Sequence, residues 1–179
     1  TGKPSKPFET GLRSRLTISD HLEDRDYAVM QEEIYRGLRE NPRRISSKYF
    51  YDSQGSRLFE MITGLDEYYL SRAEKQIISG VWNRLGLGNG SVNIVELGSG
   101  DSSKSALLLS QLPEDQLDRV TYYPVDISRE AMQVASASLL KRFPGIRIHG
   151  IVADFQRHVD IIPNSGRRLF FFFGSTIGN

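Results

Sequence analysis

The 179-residue chain contains no cysteine. Disulfides, thiolate metal sites and a cysteine nucleophile are therefore excluded, and a reducing, cytoplasmic setting is favoured. An excess of either charge is also missing. Twenty-three basic residues stand against 22 acidic ones, for a formal net charge of +1, and the two signs are interleaved. Charge thus gives no support to nucleic acid or a membrane surface as a partner. The longest apolar run, Leu169–Phe173, is far too short to span a bilayer. The three histidines, His21, His149 and His158, are widely separated and show no H-E-x-x-H spacing, so they read as surface or strand residues and no metal is expected. No G-x-S-x-G elbow occurs, which removes the hydrolase arrangement built on it. No P-loop occurs either, because "GDSSKS" has a Lys-Ser pair without the glycine spacing. Internal repeats and low-complexity tracts are absent.

What remains is an ordinary globular composition, 39% hydrophobic and 25% charged. The opening "TGKPSKPFET" is polar and carries two prolines, and no apolar core follows it. It reads as a mobile arm, extending over residues 1–23, and not as a signal peptide. Residues 24–90 read as helical. Tyr27, Met30, Ile34, Tyr35 and Leu38 recur at helical spacing and predict a helix over Asp24–Arg39. Asn41 before Pro42 breaks it. A short helix is expected over Ser56–Thr63, with Leu58, Phe59 and Ile62 on one face and Gly64 at its end. A third opens at Ser71, where Glu74 three residues on has the spacing of a capping box. Ile77, Ile78, Val81, Trp82 and Leu85 are expected to face inward from it, before the connector Gly86–Gly90.

Residues 91–179 change rhythm. Strands are predicted at Val92–Leu97, Val120–Asp126, Ile146–Ala153 and Arg168–Phe173. Helices are predicted at Ser103–Leu112 and from the cap Ser128 to Phe143, where Pro144-Gly145 stops the second. Strands alternating with helices imply a parallel, doubly wound α/β sheet. The run "LFFFF" fits a strand buried on both faces.

In such a sheet ligands bind beyond the carboxyl ends of the strands. Gly98 and Gly100 follow the first of them, in "IVELGSGDSSKSALLL". The dinucleotide fingerprint wants a third glycine where Ser103 stands. Two glycines alone serve a bare strand-to-helix turn as well as a ligand. Acids at strand ends add to them. Asp126 in "YYPVDIS" can accept both hydroxyls of a ribose. Asp154 in "IVADFQ" can accept an adenine amino group, with Phe155 beside it to pack on the base. Taken with Glu96, these acids describe a nucleoside site that suits S-adenosylmethionine better than NAD. Each acid also has an ordinary use as a helix cap or turn former.

The stretch "KYFYDSQGSRLFEMITGLDEYYLSRAE", followed by "VELGSGDSSKS", "PVDIS", "ADF" and "RRLFFFFGSTIGN", resembles the histidine-specific S-adenosylmethionine-dependent methyltransferases, over roughly residues 45 to 179. The glycine turn is generic to class I methyltransferases, whereas the two flanking motifs are specific to this family. The resemblance implies a Rossmann-like sheet preceded by a helical segment that contributes to the substrate pocket. It implies N-methylation of the α-amine of an amino acid, most simply L-histidine, giving hercynine in ergothioneine biosynthesis. A fungal branch methylates a prenylated tryptophan. Carried over by position, Gly98 and Lys104 would lie at or beside the cofactor's methionine end, Asp126 at the ribose, and Asp154 and Phe155 at the adenine, with Gly100 also binding the cofactor. Tyr51, Tyr68 and Asn179 would bind the small-molecule amino acid. Family members continue well beyond this point, so the chain is expected to be the first part of a longer enzyme, its last strand left at an open edge. An NAD(P)-dependent oxidoreductase and a non-catalytic cofactor-binding piece are the alternatives.

Overall fold

The computed structural model describes residues 14–50, 53–86, 88 and 90–174. Their centre is a five-stranded, all-parallel sheet: β1 (Leu16–Asp20), β2 (Val92–Leu97), β3 (Val120–Asp126), β4 (Arg147–Val152) and β5 (Arg167–Phe171), in the spatial order β1-β4-β3-β2-β5. Helices α1 (Asp24–Arg39), α2 (Ser53–Thr63), α3 (Tyr69–Ile78) and α4 (Val81–Leu85) precede β2. Helix α5 (Ser103–Leu109) joins β2 to β3, and α6 (Arg129–Arg142) joins β3 to β4.

The burial of each strand follows its place. β2 lies between β3 and β5, and Val92, Ile94, Val95 and Glu96 are all 2% exposed or less. The crossovers through α5 and α6 run in one direction across the sheet, and right-handedness puts both helices on one face. Leu108 and Leu109 of α5 and Leu139 and Leu140 of α6 accordingly share a core with Val92, Ile94, Val120, Tyr122 and Ile148. Val95, Val125, Ile151 and Ala153 pack with Ile162 in a second cluster. Each fully buried Leu or Ile contributes roughly 1.5–3 kcal/mol of transfer free energy. Helix α6 is specified at both ends. Ser128 accepts the Ala131 N–H at 3.3 Å, Glu130 lies in its first turn and Lys141 and Arg142 in its last. Gly145 then passes so close to the Glu114–Arg119 turn that a Cβ there would stand 2.8 Å from the Leu117 Cβ.

Four features depart from the sequence reading. Leu16–Asp20 is not part of a mobile arm but an edge strand, in register with Ile148–Val152. Helix α3 begins two residues before Ser71, at Tyr69, with Tyr68 as its N-cap. Ser71 and Glu74 therefore form no capping box, and the helix ends at Ile78 before α4 starts. Ile78 is buried, but Ile77 is 67% exposed and Leu85 43%, so neither faces inward. Finally, β5 is not buried on both faces. It pairs with β2 alone among the described strands, and Phe170 is 51% exposed.

Candidate functional site

The sheet order reverses at β2. The chain steps from β2 to β3 to β4 in one direction and then returns to lay β5 on the other side of β2. The carboxyl end of β2 is therefore a topological switch point, the usual place for a ligand crevice in an open parallel sheet. There the backbone turns sharply. Gly98 (φ 71°), Gly100 (φ 51°) and Ser102 (φ 57°) all occupy the left-handed region. A Cβ on Gly100 would meet no atom within 4 Å, so the turn faces open space. Its shape is held by β3: Gly98 N–H donates to the Val125 carbonyl at 2.9 Å, and Gly100 N–H donates to Asp126 Oδ2 at 3.0 Å. Asp126 Oδ1 accepts the Ser128 N–H at 3.0 Å. One carboxylate thus fixes both the glycine turn and the entry to α6, and each oxygen keeps a lone pair for a further donor. Ser99, between the two glycines, is 5% exposed, and its hydroxyl has no partner among the described residues.

The next strand end is also built around an acid. Asp154 is 3% exposed. Its Oδ1 accepts the Gln156 N–H at 3.0 Å, and its carbonyl accepts the Arg157 and His158 N–H groups, each at 2.9 Å. Its Oδ2 lies 3.4 Å from Lys48 Nζ, which also pairs with Glu33 at 2.9 Å. Burial works to lower the Lys48 ammonium, but the Glu33 and Asp154 carboxylates outweigh it and hold it above the ordinary lysine range. The same Lys48 hydrogen bond holds Glu33 below the usual carboxylate range. Phe155 meets Phe172 edge-on, with ring centroids 5.5 Å apart.

A cleft of about 200 Å³ opens where the helical segment meets the sheet. Tyr68 and Lys104 line it together with Phe59, Glu74 and Gly174. Tyr68 packs edge-on against Phe59, centroids 6.0 Å apart. Lys104, at the start of α5, is not a freely solvated side chain. It pairs with Glu74 at 2.6 Å, and Glu74 also accepts the Gly174 N–H at 2.7 Å.

The structure joins Gly100 to Asp126 by a direct hydrogen bond and Gly98 to the adjacent Val125 carbonyl, and it places Tyr68 and Lys104 on one cleft. Asp154 and Phe155 follow on the neighbouring strand, joined to Asp126 through the Ala153 N–H on its carbonyl at 2.9 Å. Tyr51 and Asn179 lie outside the described residues. Glu96 does not belong with the other two acids. It is 2% exposed, and the hydroxyls of Ser105 and Tyr122 donate to it. Burial pushes its carboxyl up to about 7, against the downward pull of those two bonds. It braces the start of α5 from inside the core. Lys48 and Glu74 were missed by the sequence reading, although both lie inside the motif that carries the resemblance. Among the described residues no cluster of His, Asp or Glu could hold a metal, and no helix is long and apolar enough to cross a membrane.

Residues 30–179 match the family model described as "Histidine-specific methyltransferase, SAM-dependent". The chain is 36% identical over 166 residues to histidine N-alpha-methyltransferase of Mycobacterium tuberculosis, covering 92% of this chain and 51% of that protein. It is 37% identical over 165 residues to the Mycolicibacterium smegmatis protein of the same name, with the same coverage. Ergothioneine biosynthesis protein 1 of Neurospora crassa is 29% identical over 179 residues, 94% of this chain and 20% of that protein. The chain spans about half the length of the two mycobacterial relatives.

Proposed function

Because the chain belongs to the SAM-dependent, histidine-specific methyltransferase family, we propose that it carries the cofactor site of an enzyme that methylates the α-amine of L-histidine, giving hercynine. The observation that carries this reading is the glycine turn at the switch point, shaped by Asp126 and facing open space, beside a cleft walled by Tyr68 and Lys104. The residues fit the cofactor. Asp126 has lone pairs left for a ribose, Ser99 offers an unpartnered buried hydroxyl, and Lys104 offers a cation for a carboxylate. Asp154 and Phe155 supply an acceptor and a ring face for the adenine. When bound, S-adenosylmethionine supplies a methyl group on a sulfonium.

The chain's own residues have little bond chemistry to do. The amine must arrive neutral and in line, and positioning of this kind can supply on the order of 7–11 kcal/mol. Tyr68, with Tyr51 and the Asn179 carboxamide, suits that work, since these groups orient an amine without adding a charge beside the sulfonium. Tyrosine faces also tolerate an amine that becomes cationic as methyls accumulate, through cation–π contact worth about 0.5–2 kcal/mol.

The test is calorimetric titration of S-adenosylhomocysteine into the 179-residue chain, alongside Asp126→Asn. Saturable binding in the native chain, weakened tenfold or more in the variant, is expected, since the variant keeps only one acceptor for two N–H groups and loses the charge. A folded chain that binds NADH in preference to S-adenosylhomocysteine would overturn the assignment. Turnover of S-adenosylmethionine with L-histidine, read by mass spectrometry, tests the acceptor.

A further inference from the structure

Three parts of the chain that are distant in sequence meet at Glu74. It lies on α3, the helix that Tyr68 caps, and it lines the cleft. One carboxylate oxygen pairs with Lys104, which stands at the start of α5 just after the glycine turn. The other accepts the N–H of Gly174, 100 residues further on, where the chain has left β5. The ion pair is sheltered, with the Lys104 side chain 18% exposed and Glu74 25%. Charges there attract more strongly than a surface pair does. A lysine side chain is long and flexible, and a carboxylate at 2.6 Å selects one of its many rotamers.

We propose that Glu74 is a positioning residue: it holds the Lys104 ammonium against the cleft and fixes the Gly174 turn, setting the spacing between Tyr68 and the start of α5 in the cleft lining. The inference rests on the reading of Lys104 as a cofactor contact. Its two tasks are chemically separable. Glutamine at this position keeps an acceptor for Gly174 and loses the charge that steers Lys104, whereas alanine loses both.

The experiment is a double-mutant cycle on the full 179-residue chain, with S-adenosylhomocysteine as probe and a thermal melt on each variant. Glu74→Gln is expected to weaken binding about tenfold while leaving the melt close to native, and Glu74→Ala to weaken binding and lower the melt. In a Lys104→Met background, Glu74→Gln is expected to have no further effect, because its target is gone. A merely structural glutamate would give additive losses instead, and additivity overturns the proposal. So does native affinity in Glu74→Gln. If Glu74→Gln fails to melt cooperatively, Glu74→Asp carries the same cycle, with the same non-additivity expected. Failure of the cofactor reading looks different: the native chain itself does not bind, and the proposal falls with that reading.

Discussion

At the scale of single residues, the chain uses its acids in two opposite ways. Asp126 and Asp154 stand at strand ends, where backbone N–H groups reach their oxygens. Glu96 is drawn into the core, where burial favours its neutral form and pushes it up to about 7. The unfolded chain would titrate that group near 4.5. Between those two values the folded state holds a proton that the unfolded state has released, so stability falls as pH rises through the window. At about 1.4 kcal/mol per pK unit the loss is up to ~3 kcal/mol. Urea denaturation at pH 5 and pH 8 should therefore show a lower midpoint at pH 8. Glu96→Gln, which keeps an acceptor for Ser105 and Tyr122, should remove that difference. An identical pH dependence in both proteins would mean that Glu96 is ionised throughout. Sequence could not separate Glu96 from the other acids, since all three end apolar runs. What distinguishes them is the direction of a side chain relative to Tyr122, a residue 26 positions away.

Secondary-structure elements were legible where their signals were local. Helix α6 begins after Ser128, as its cap implies, and α1 spans Asp24–Arg39 as its periodicity implies. Replacing Ser128 by alanine should cost about 1 kcal/mol, seen as a fall of about 2–4 °C in Tm. An unchanged Tm would show that water caps α6 equally well. Where a long-range partner decides the outcome, the local pattern misled. Ser71 and Glu74 have capping-box spacing, yet Glu74 is engaged by Lys104 and Gly174, and the helix starts two residues earlier. The apolar run of β5 reads as doubly buried because periodicity carries no information about how many strands flank it. β1 was missed for a related reason. "LTISD" is short and sits in a polar surrounding, and it becomes a strand only because β4 offers it an edge.

For the molecule as a whole, the helical half is held at two places: α3 and α4 on α5, and α1 with the Ser47–Phe50 turn beside β4. Asp26 of α1, itself 1% exposed, pairs with Arg157 at 2.8 Å, and Lys48 reaches Asp154. Both anchors fall on the turn that follows β4, next to the residues proposed to hold the adenine. Lys48→Met should loosen that turn. The Arg157 and His158 amides, which donate to the Asp154 carbonyl, should exchange with deuterium about fivefold faster, the factor that corresponds to about 1 kcal/mol. Unchanged exchange would mean that Asp26 alone secures the turn. This arrangement makes the turn after β4, where the adenine is proposed to bind, dependent on α1 and on Lys48, which no motif in "IVADFQ" discloses.

The pairing of β1 with β4 also sets an order of events when the protein is made. Leu16 and Ile148 lie opposite one another, 132 positions apart in the chain. At a synthesis rate of about 5–20 residues per second, the first strand leaves the ribosome roughly ten seconds before its partner exists. Until then "LTISD" has no strand to pair with, whereas α3 and α4 already meet α5 through Lys104 and the Leu108 carbonyl. β1 is thus the first strand to be translated, and it pairs only once the fourth has been made.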